Sequence, residues 1–201
     1  MKKNFNNKES FTLIELMVSL SILVLVILAA MAIYLRVIGT RSKTLGQLNI
    51  QEDGQFLMTL ISKDIRSSQI DYDNYGNDCD AIEGASTAIN NLCLKRISSG
   101  EEIVYKKGTT NEGIDVLERC QAPDCDSNDD SDFKAITMTQ INVSRLNFYI
   151  RPASDPFEAG SVDYVHPRAT IVLRLESLVE KDPPSPLLLQ QTVPQRYGFR
   201  R

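Results

Sequence analysis

The chain has 201 residues, a formal net charge of −4 and 24% charged residues. This length fits one domain with a core of its own, and the acidic balance argues against nucleic acid as a partner, because nucleic-acid-binding domains are usually basic. Hydrophobicity is concentrated at one end, since residues 11–35 hold almost no polar side chains. Composition therefore predicts one globular unit with an apolar N-terminal appendage.

The apolar segment 11–35 is long enough to cross a membrane as a helix. At about 1.5 Å per residue it spans a hydrocarbon core of roughly 30 Å. Lys2, Lys3 and Lys8 precede it on a short N-terminal tail, and such a tail normally stays cytoplasmic. We therefore expect a single-pass membrane protein whose bulk lies on the other side of the membrane.

One carboxylate inside the apolar segment distinguishes three interpretations: a cleaved secretory signal, an uncleaved signal anchor and a leader that is cut just before the apolar segment. Glu15 costs on the order of 2.5 to 3.5 kcal/mol near a bilayer centre, and less near an interface. A cut between Ser10 and Phe11 would create an amino group one helical turn from Glu15, in the same helix or in a neighbouring subunit. The secretory alternative has the A-x-A pattern at residues 30–32 but leaves Glu15 unexplained.

The sequence FTLIELMVSL, which begins at Phe11, resembles the N-terminal signature of type IV prepilins and type II secretion pseudopilins. The resemblance implies that prepilin peptidase cuts after Ser10 and that Phe11 becomes the N-methylated first residue. It also implies that Glu15 acts in assembly with other pilins through the N-terminal helix. The expected location is the bacterial inner membrane, with a cytoplasmic N-terminus, and later the pilus and cell surface or the periplasm. The sequence departs from the family at Ser10, where glycine is usual.

Residues 36–70 form the predicted amphipathic continuation of the membrane helix. The segment contains no proline, and the spacing of Leu57, Ile61 and Ile65 is helical. The helix is expected to end between residues 67 and 71. Its apolar positions are Leu45, Leu48, Phe56, Leu57, Leu60, Ile61 and Ile65.

Six runs of strand-forming residues follow, separated by turn-rich segments. The predicted strands are 92–97, 102–107, 114–119, 143–151, 169–177 and 187–193. A helix followed by consecutive strands predicts an α+β fold, in which a long N-terminal helix packs on a mainly antiparallel sheet, as in pilins. The predicted organisation is a cleaved leader at 1–10, a transmembrane and filament-core helix at 11–35, its amphipathic continuation at 36–70 and an extracytoplasmic α+β domain at 71–201.

A second, more diffuse resemblance extends over the outer domain. The segments at 51–68, 145–151, 168–176 and 187–196 are similar in type and order to minor pilins of the PilW kind, and more loosely to the J-type minor pseudopilin. It implies a non-enzymatic structural subunit that initiates or completes a type IV pilus. The alternatives are a minor pseudopilin of a type II secretion system and a membrane-anchored or secreted binding protein that never polymerises. For that third class, a mature N-terminus at Ile33 or Met1 is expected.

The four cysteines, Cys79, Cys93, Cys120 and Cys125, all follow the membrane segment. Disulfides are expected if this part faces an oxidising compartment, and four cysteines allow three pairings. A zinc site is disfavoured because the sequence has no C-x-x-C pair.

An acidic run offers weak calcium candidates. Asp124, Asp126 and Asn128 have the first three ligand spacings of a calcium-binding loop. The pattern then fails, because Asp129 replaces the turn glycine and Ala135 replaces the glutamate at the twelfth position. A solvated turn is the favoured interpretation, and no cofactor is expected.

The sequence contains little that could support catalysis. His166 is the only histidine, it precedes Pro167 in a loop-like stretch, and no serine or cysteine nucleophile motif accompanies it. Arg196, Arg200 and Arg201 give a basic C-terminus, which is more often simply solvated. We therefore expect a protein that is not an enzyme.

Overall fold

The computed structural model describes residues 12–77, 79–84, 86–123, 125, 130–138, 140–158, 165–178 and 185–196, without the side chains of residues 42, 43 and 130. The chain divides into two compact units, Met1–Thr44 and Leu45–Arg201. A single long helix, α1, spans Leu13–Ser67 and contributes residues to both units.

The second unit contains a five-stranded antiparallel sheet. Its strands are β1 at Ser68–Ile70, β2 at Leu92–Arg96, β3 at Glu102–Thr109, β4 at Asp115–Ala122 and β5 at Lys134–Ala135, paired in that order. Gly100 and Gly113, in the turns before β3 and β4, have φ angles of 74° and 76°. Residues with a Cβ rarely adopt this backbone conformation. A short 3-10 helix, Asp130–Asp132, precedes β5.

A three-stranded antiparallel sheet follows in the chain. It consists of β6 at Ile141–Arg151, β7 at Arg168–Ser177 and β8 at Leu187–Pro194, in the order β6-β7-β8. Buried and more exposed residues alternate along β6 and β7, which is the pattern of strands with one face on a core.

The core of the second unit lies between α1 and the two sheets. The helix residues buried in it are Ile50, Leu57, Met58, Ile61 and Ile65. Gly54 lies on the same side, where an added Cβ would come within 2.7 Å of Leu189 Cδ1. The absence of a side chain at Gly54 therefore allows the helix to approach the three-stranded sheet closely.

The opposite side of this helical segment remains exposed. Leu45, Leu48 and Phe56 are 50%, 46% and 56% exposed. At 100° per residue they share one side of the helix, away from Leu57 and Ile61. The sequence predicted an amphipathic helix with these apolar positions, and the structure divides them into a buried face and an exposed apolar stripe.

The predicted α+β class is confirmed, and each of the six predicted strands is present. Two features differ from the prediction. Residues 68–70, assigned to the helical segment 36–70, form β1 because their backbone pairs with β2, with Ser68 opposite Arg96 and Ile70 opposite Leu94. The strands also form two sheets rather than one, because β6 pairs with β7 and not with the short, unpredicted β5.

Candidate functional site

The first turn of α1 is capped by a polar pair from the apolar segment. The backbone N–H of Glu15 donates to Thr12 Oγ1 at 3.4 Å. Thr12-x-x-Glu15 is the sequence pattern of a capping box, in which the threonine satisfies an N–H that the helix itself cannot. A carboxylate in the first turn also interacts favourably with the positive end of the helix dipole. Glu15, the residue predicted to act in assembly, therefore also belongs to the start of the helix.

The two serines of the apolar segment satisfy their hydroxyl groups within the helix. Ser19 Oγ donates to the Glu15 carbonyl at 2.7 Å, and Ser21 Oγ donates to the Met17 carbonyl at 2.8 Å. In hydrocarbon an unsatisfied hydroxyl would carry a desolvation penalty, and these bonds reduce it. The segment is thus more compatible with lipid than its sequence suggests.

The apolar side chains of the first unit are exposed throughout. Large apolar residues from Leu13 to Ile38 are 48% to 79% exposed. Among the described residues this helix is the one that is long and apolar enough to cross a membrane. An apolar surface of this extent is stable when lipid or other apolar helices cover it.

The structure covers only part of the predicted processing and ligand sites. Glu15 is described and exposed, whereas Ser10 and Phe11 lie outside the described residues. The weak calcium candidates Asp124, Asp126 and Asn128 also lie outside them, so the favoured interpretation of this run as a solvated turn stays a prediction. Sequence reasoning missed Thr12, although the S/T-x-x-E pattern was a readable signal.

Both cysteine pairs form disulfides in the five-stranded region. Cys79 is bonded to Cys93, and Cys120 to Cys125. All four cysteines are buried, in a cluster with Val104. The first bridge ties the loop after β1 to β2, and the second ties the end of β4 to the loop that follows it.

A buried carboxylate links α1 to the same sheet. Asp64 Oδ2 accepts hydrogen bonds from Tyr105 Oη at 2.6 Å and from Arg119 Nη2 at 2.9 Å and Nε at 3.2 Å. Arg96 Nη2 lies 3.8 Å from Asp64 Oδ1. Burial, followed by the hydrogen bond to Asp64, raises the pKa of Tyr105, so the phenol stays neutral. This saturated network joins helix to sheet, and no local pattern signals it because its members lie far apart in the chain.

The described residues contain no group of three or more histidine, cysteine or acidic side chains that could hold a metal ion. His166 is exposed beside Pro167. The N-terminal helix is therefore the region with the most specific functional signal.

Comparison with known proteins adds one finding. Residues 5–31 match the sequence model of the prokaryotic N-terminal methylation motif. No curated protein and no solved structure matches the chain. The motif supports a protein of the type IV pilin and pseudopilin class, in which it marks structural subunits cut by prepilin peptidase. The motif and the long apolar helix fit anchoring in a membrane.

Proposed function

We propose that this chain is a minor pilin of a type IV pilus, of the PilW kind, which primes or joins the filament from the inner membrane. The observation that carries the proposal is the methylation motif at residues 5–31, which leads into a helix with exposed apolar side chains. Prepilin peptidase removes residues 1–10, Phe11 is N-methylated, and the N-terminus is cytoplasmic before assembly. The outer domain then lies in the periplasm or on the cell surface.

The exposed apolar surface supports assembly as well as anchoring. Lipid covers the helix before assembly, and the helices of neighbouring subunits cover it afterwards, so the apolar surface stays dry in both states. The second unit has an exposed apolar stripe of its own, at Leu45, Leu48 and Phe56. A monomer that never polymerised would leave this stripe in water.

Glu15 provides the specificity of assembly in this proposal. Once Phe11 becomes the first residue, its ammonium group lies one helical turn from the carboxylate, or reaches it from a neighbouring subunit. A paired carboxylate is far less costly in an apolar environment than an isolated one. A subunit is therefore held in the filament only when the charges meet.

N-terminal sequencing and mass spectrometry of the membrane-purified protein test the processing step. We expect Phe11 as the first residue, carrying one methyl group. A mature chain that starts at Met1 or Ile33 would overturn the proposal in favour of an anchored or secreted binding protein.

Three variants test the pairing, with the amount of subunit in sheared pili as the measurement. Glu15→Val and Glu15→Gln should insert in the membrane normally, yet enter filaments about tenfold less well, because both lack the charge. Thr12→Ala is the matched control, since it removes the cap and keeps the carboxylate. Normal incorporation of Glu15→Gln would contradict the pairing.

The same motif also serves the second candidate, a minor pseudopilin of a type II secretion system. Deletion of the gene distinguishes them. Loss of surface pili with normal protein export supports the minor pilin, whereas normal pili with blocked export support the pseudopilin.

A further inference from the structure

The solvent face of the three-stranded sheet has a charge distribution unlike that of the chain as a whole. Glu176 is the only carboxylate in β6, β7 and β8. The exposed arginines of these strands are Arg145, Arg151, Arg168 and Arg174. A chain with a net charge of −4 therefore carries a strongly basic patch on this face.

The strand register places these arginines opposite one another. Arg145 pairs with Arg174, and Arg151 with Arg168. Like charges directly opposite each other across two strands destabilise a sheet. Arg174 Nε lies 3.2 Å from Glu176 Oε1, and Arg151 Nη2 donates to Ser86 Oγ at 3.2 Å. Exposed contacts of this kind contribute little, and a hydroxyl partner does not neutralise a guanidinium, so the excess positive charge of the face attracts an external anion.

A partly exposed aromatic ring and hydrogen-bonding side chains lie between the two arginine pairs. Tyr149 is directly opposite Thr170, whose hydroxyl lies 2.8 Å from the Thr192 hydroxyl. A shallow groove of about 520 Å³ is lined here by Tyr149, Arg151, Arg168, Thr170, Val172, Gln190 and Thr192. The face thus offers an aromatic surface and neutral polar groups as well as cations.

The spacing and composition of this face select the ligand. Arg145 and Arg151 are six residues apart on β6, which places the two arginine pairs about 20 Å apart at about 3.3 Å per residue. A small anion reaches one pair, whereas a linear polyanion reaches both. Protein interfaces usually have an apolar centre, but here half-buried Val172 is surrounded by polar groups.

We propose that this face binds single-stranded nucleic acid, with the arginine pairs on phosphates and Tyr149 stacked on a base. A basic surface that follows the backbone, together with an aromatic ring for the bases, is how proteins bind single strands without sequence preference. The net charge of the chain argued against such a ligand because it averages over faces that the fold separates. This binding is independent of whether the chain enters a pilus or a pseudopilus.

Fluorescence anisotropy tests the proposal, with the full-length protein in dodecyl maltoside and a labelled oligothymidylate of about 15 nucleotides. If all four arginines contact phosphates, the logarithm of the affinity falls with the logarithm of salt concentration with a slope of about −2.8. Arg145→Gln with Arg174→Gln, or Arg151→Gln with Arg168→Gln, should each make this slope about 1.4 shallower. Tyr149→Leu should weaken binding at least about fivefold and leave the slope unchanged.

Lys63→Gln with Arg66→Gln is the matched control, because it removes two exposed cations from α1 and leaves the sheet intact. We expect it to change the affinity by less than about twofold. An equal loss in this control, or no binding at about 50 mM salt, would overturn the site. Equal affinity for a duplex, heparin or poly-glutamate, with no effect of Tyr149→Leu, would overturn single-stranded nucleic acid as the ligand.

Discussion

The two sheets of the outer unit arrange their charges in opposite ways. In the five-stranded sheet Lys95 lies opposite Glu102, Lys106 lies opposite Glu118, and Lys107 Nζ contacts Asp115 Oδ2 at 3.0 Å. In the three-stranded sheet the charged register pairs are arginine against arginine. The first arrangement stabilises the strands to which it belongs, whereas the second concentrates positive charge on one face.

The covalent and buried polar contacts follow the same division. Both disulfides and the Asp64 network belong to the five-stranded region. Arg119 also faces Lys134 of β5 in the register, yet its guanidinium lies against Asp64. Among the described residues, the three-stranded sheet has neither a disulfide nor a buried ion pair. Both sheets pack on the helix, but the five-stranded region adds covalent and buried ionic links, whereas the three-stranded sheet turns its arginines to solvent.

The largest effect is expected from Asp64→Ala, which removes the carboxylate that accepts from the partly buried Arg119 and the buried Tyr105. We expect the free energy of unfolding to fall by about 3 kcal/mol, as when one partner of a largely buried ion pair is removed. Urea unfolding of the full-length protein in detergent measures it. Glu176→Ala, which breaks an exposed pair on the other sheet, should cost less than about 0.5 kcal/mol. Equal losses in the two variants would abolish the contrast between the sheets.

Removal of the disulfides should weaken the five-stranded region selectively. Cys79→Ala with Cys93→Ala opens a bridge of sequence separation 14 and should cost about 3 kcal/mol. Cys120→Ala with Cys125→Ala, of separation 5, should cost about 2 kcal/mol because the closed loop is shorter. Hydrogen exchange read by mass spectrometry should show faster exchange in β2 and β3 of the first variant. Faster exchange in β7 to the same extent would mean that the sheets unfold as one unit.

Asp53, on α1 beside the link between the sheets, should make stability depend on pH. Burial raises the pKa of its carboxyl above 3.8, partly offset by the backbone N–H of Met138, and Asp53 Oδ2 has no hydrogen-bond partner in the described structure. A raised folded pKa means that the folded state binds the proton more tightly, so this stabilisation is lost as pH rises from 3.8 through the folded pKa. Asp53→Asn should therefore be more stable than the parent at pH 7, by on the order of 1 kcal/mol, because it removes a buried charge that lacks a full set of partners.

The unfolding free energies of both proteins between pH 3 and pH 7 test the role of Asp53. We expect the difference to shrink towards zero below about pH 3.8. A constant difference over the whole range would show that the substitution acts by packing and not through the charge.

The smallest effect concerns the arginine pairs. Arg168→Glu places a carboxylate opposite Arg151 and should raise the free energy of unfolding by about 0.5 kcal/mol. Lys107→Glu is the reverse change in the other sheet, since it replaces the cation that contacts Asp115 diagonally by a second carboxylate and should cost about 0.5 kcal/mol. Thermal unfolding at low salt resolves both changes. A destabilised Arg168→Glu would show that the arginine pair is tolerated without cost.

Local patterns explain why so much of the fold could be predicted. The uninterrupted apolar run, the helical spacing to Ile65 and the turn-rich separators each report a preference of neighbouring residues. Two short strands, β1 and β5, were missed because three or two residues hold no periodic signal of their own. β1 forms because it pairs with β2, which is distant in the sequence, and β5 forms because it pairs with β4 across a loop.

The candidate sites likewise divide into one that a local sequence pattern reveals and one that depends on the pairing of distant strands. Glu15 was found from sequence because a carboxylate is conspicuous in an apolar run, and the match at residues 5–31 supports the same segment. The basic patch of the three-stranded sheet was not found, because Arg145 and Arg174 become neighbours only through the register of β6 and β7. Alternation along each strand indicates which side a residue takes, but not which residue lies opposite it.

The sequence by itself determined the long helix, its apolar N-terminal half, the prepilin-type motif and the α+β class, since each depends on residues close together in the chain. Tertiary structure alone decided the division into two sheets, the choice among three cysteine pairings, the burial of Asp64 and the meeting of like charges on one face. These features depend on contacts between distant segments, and such contacts form when backbone pairing and apolar burial bring the segments together.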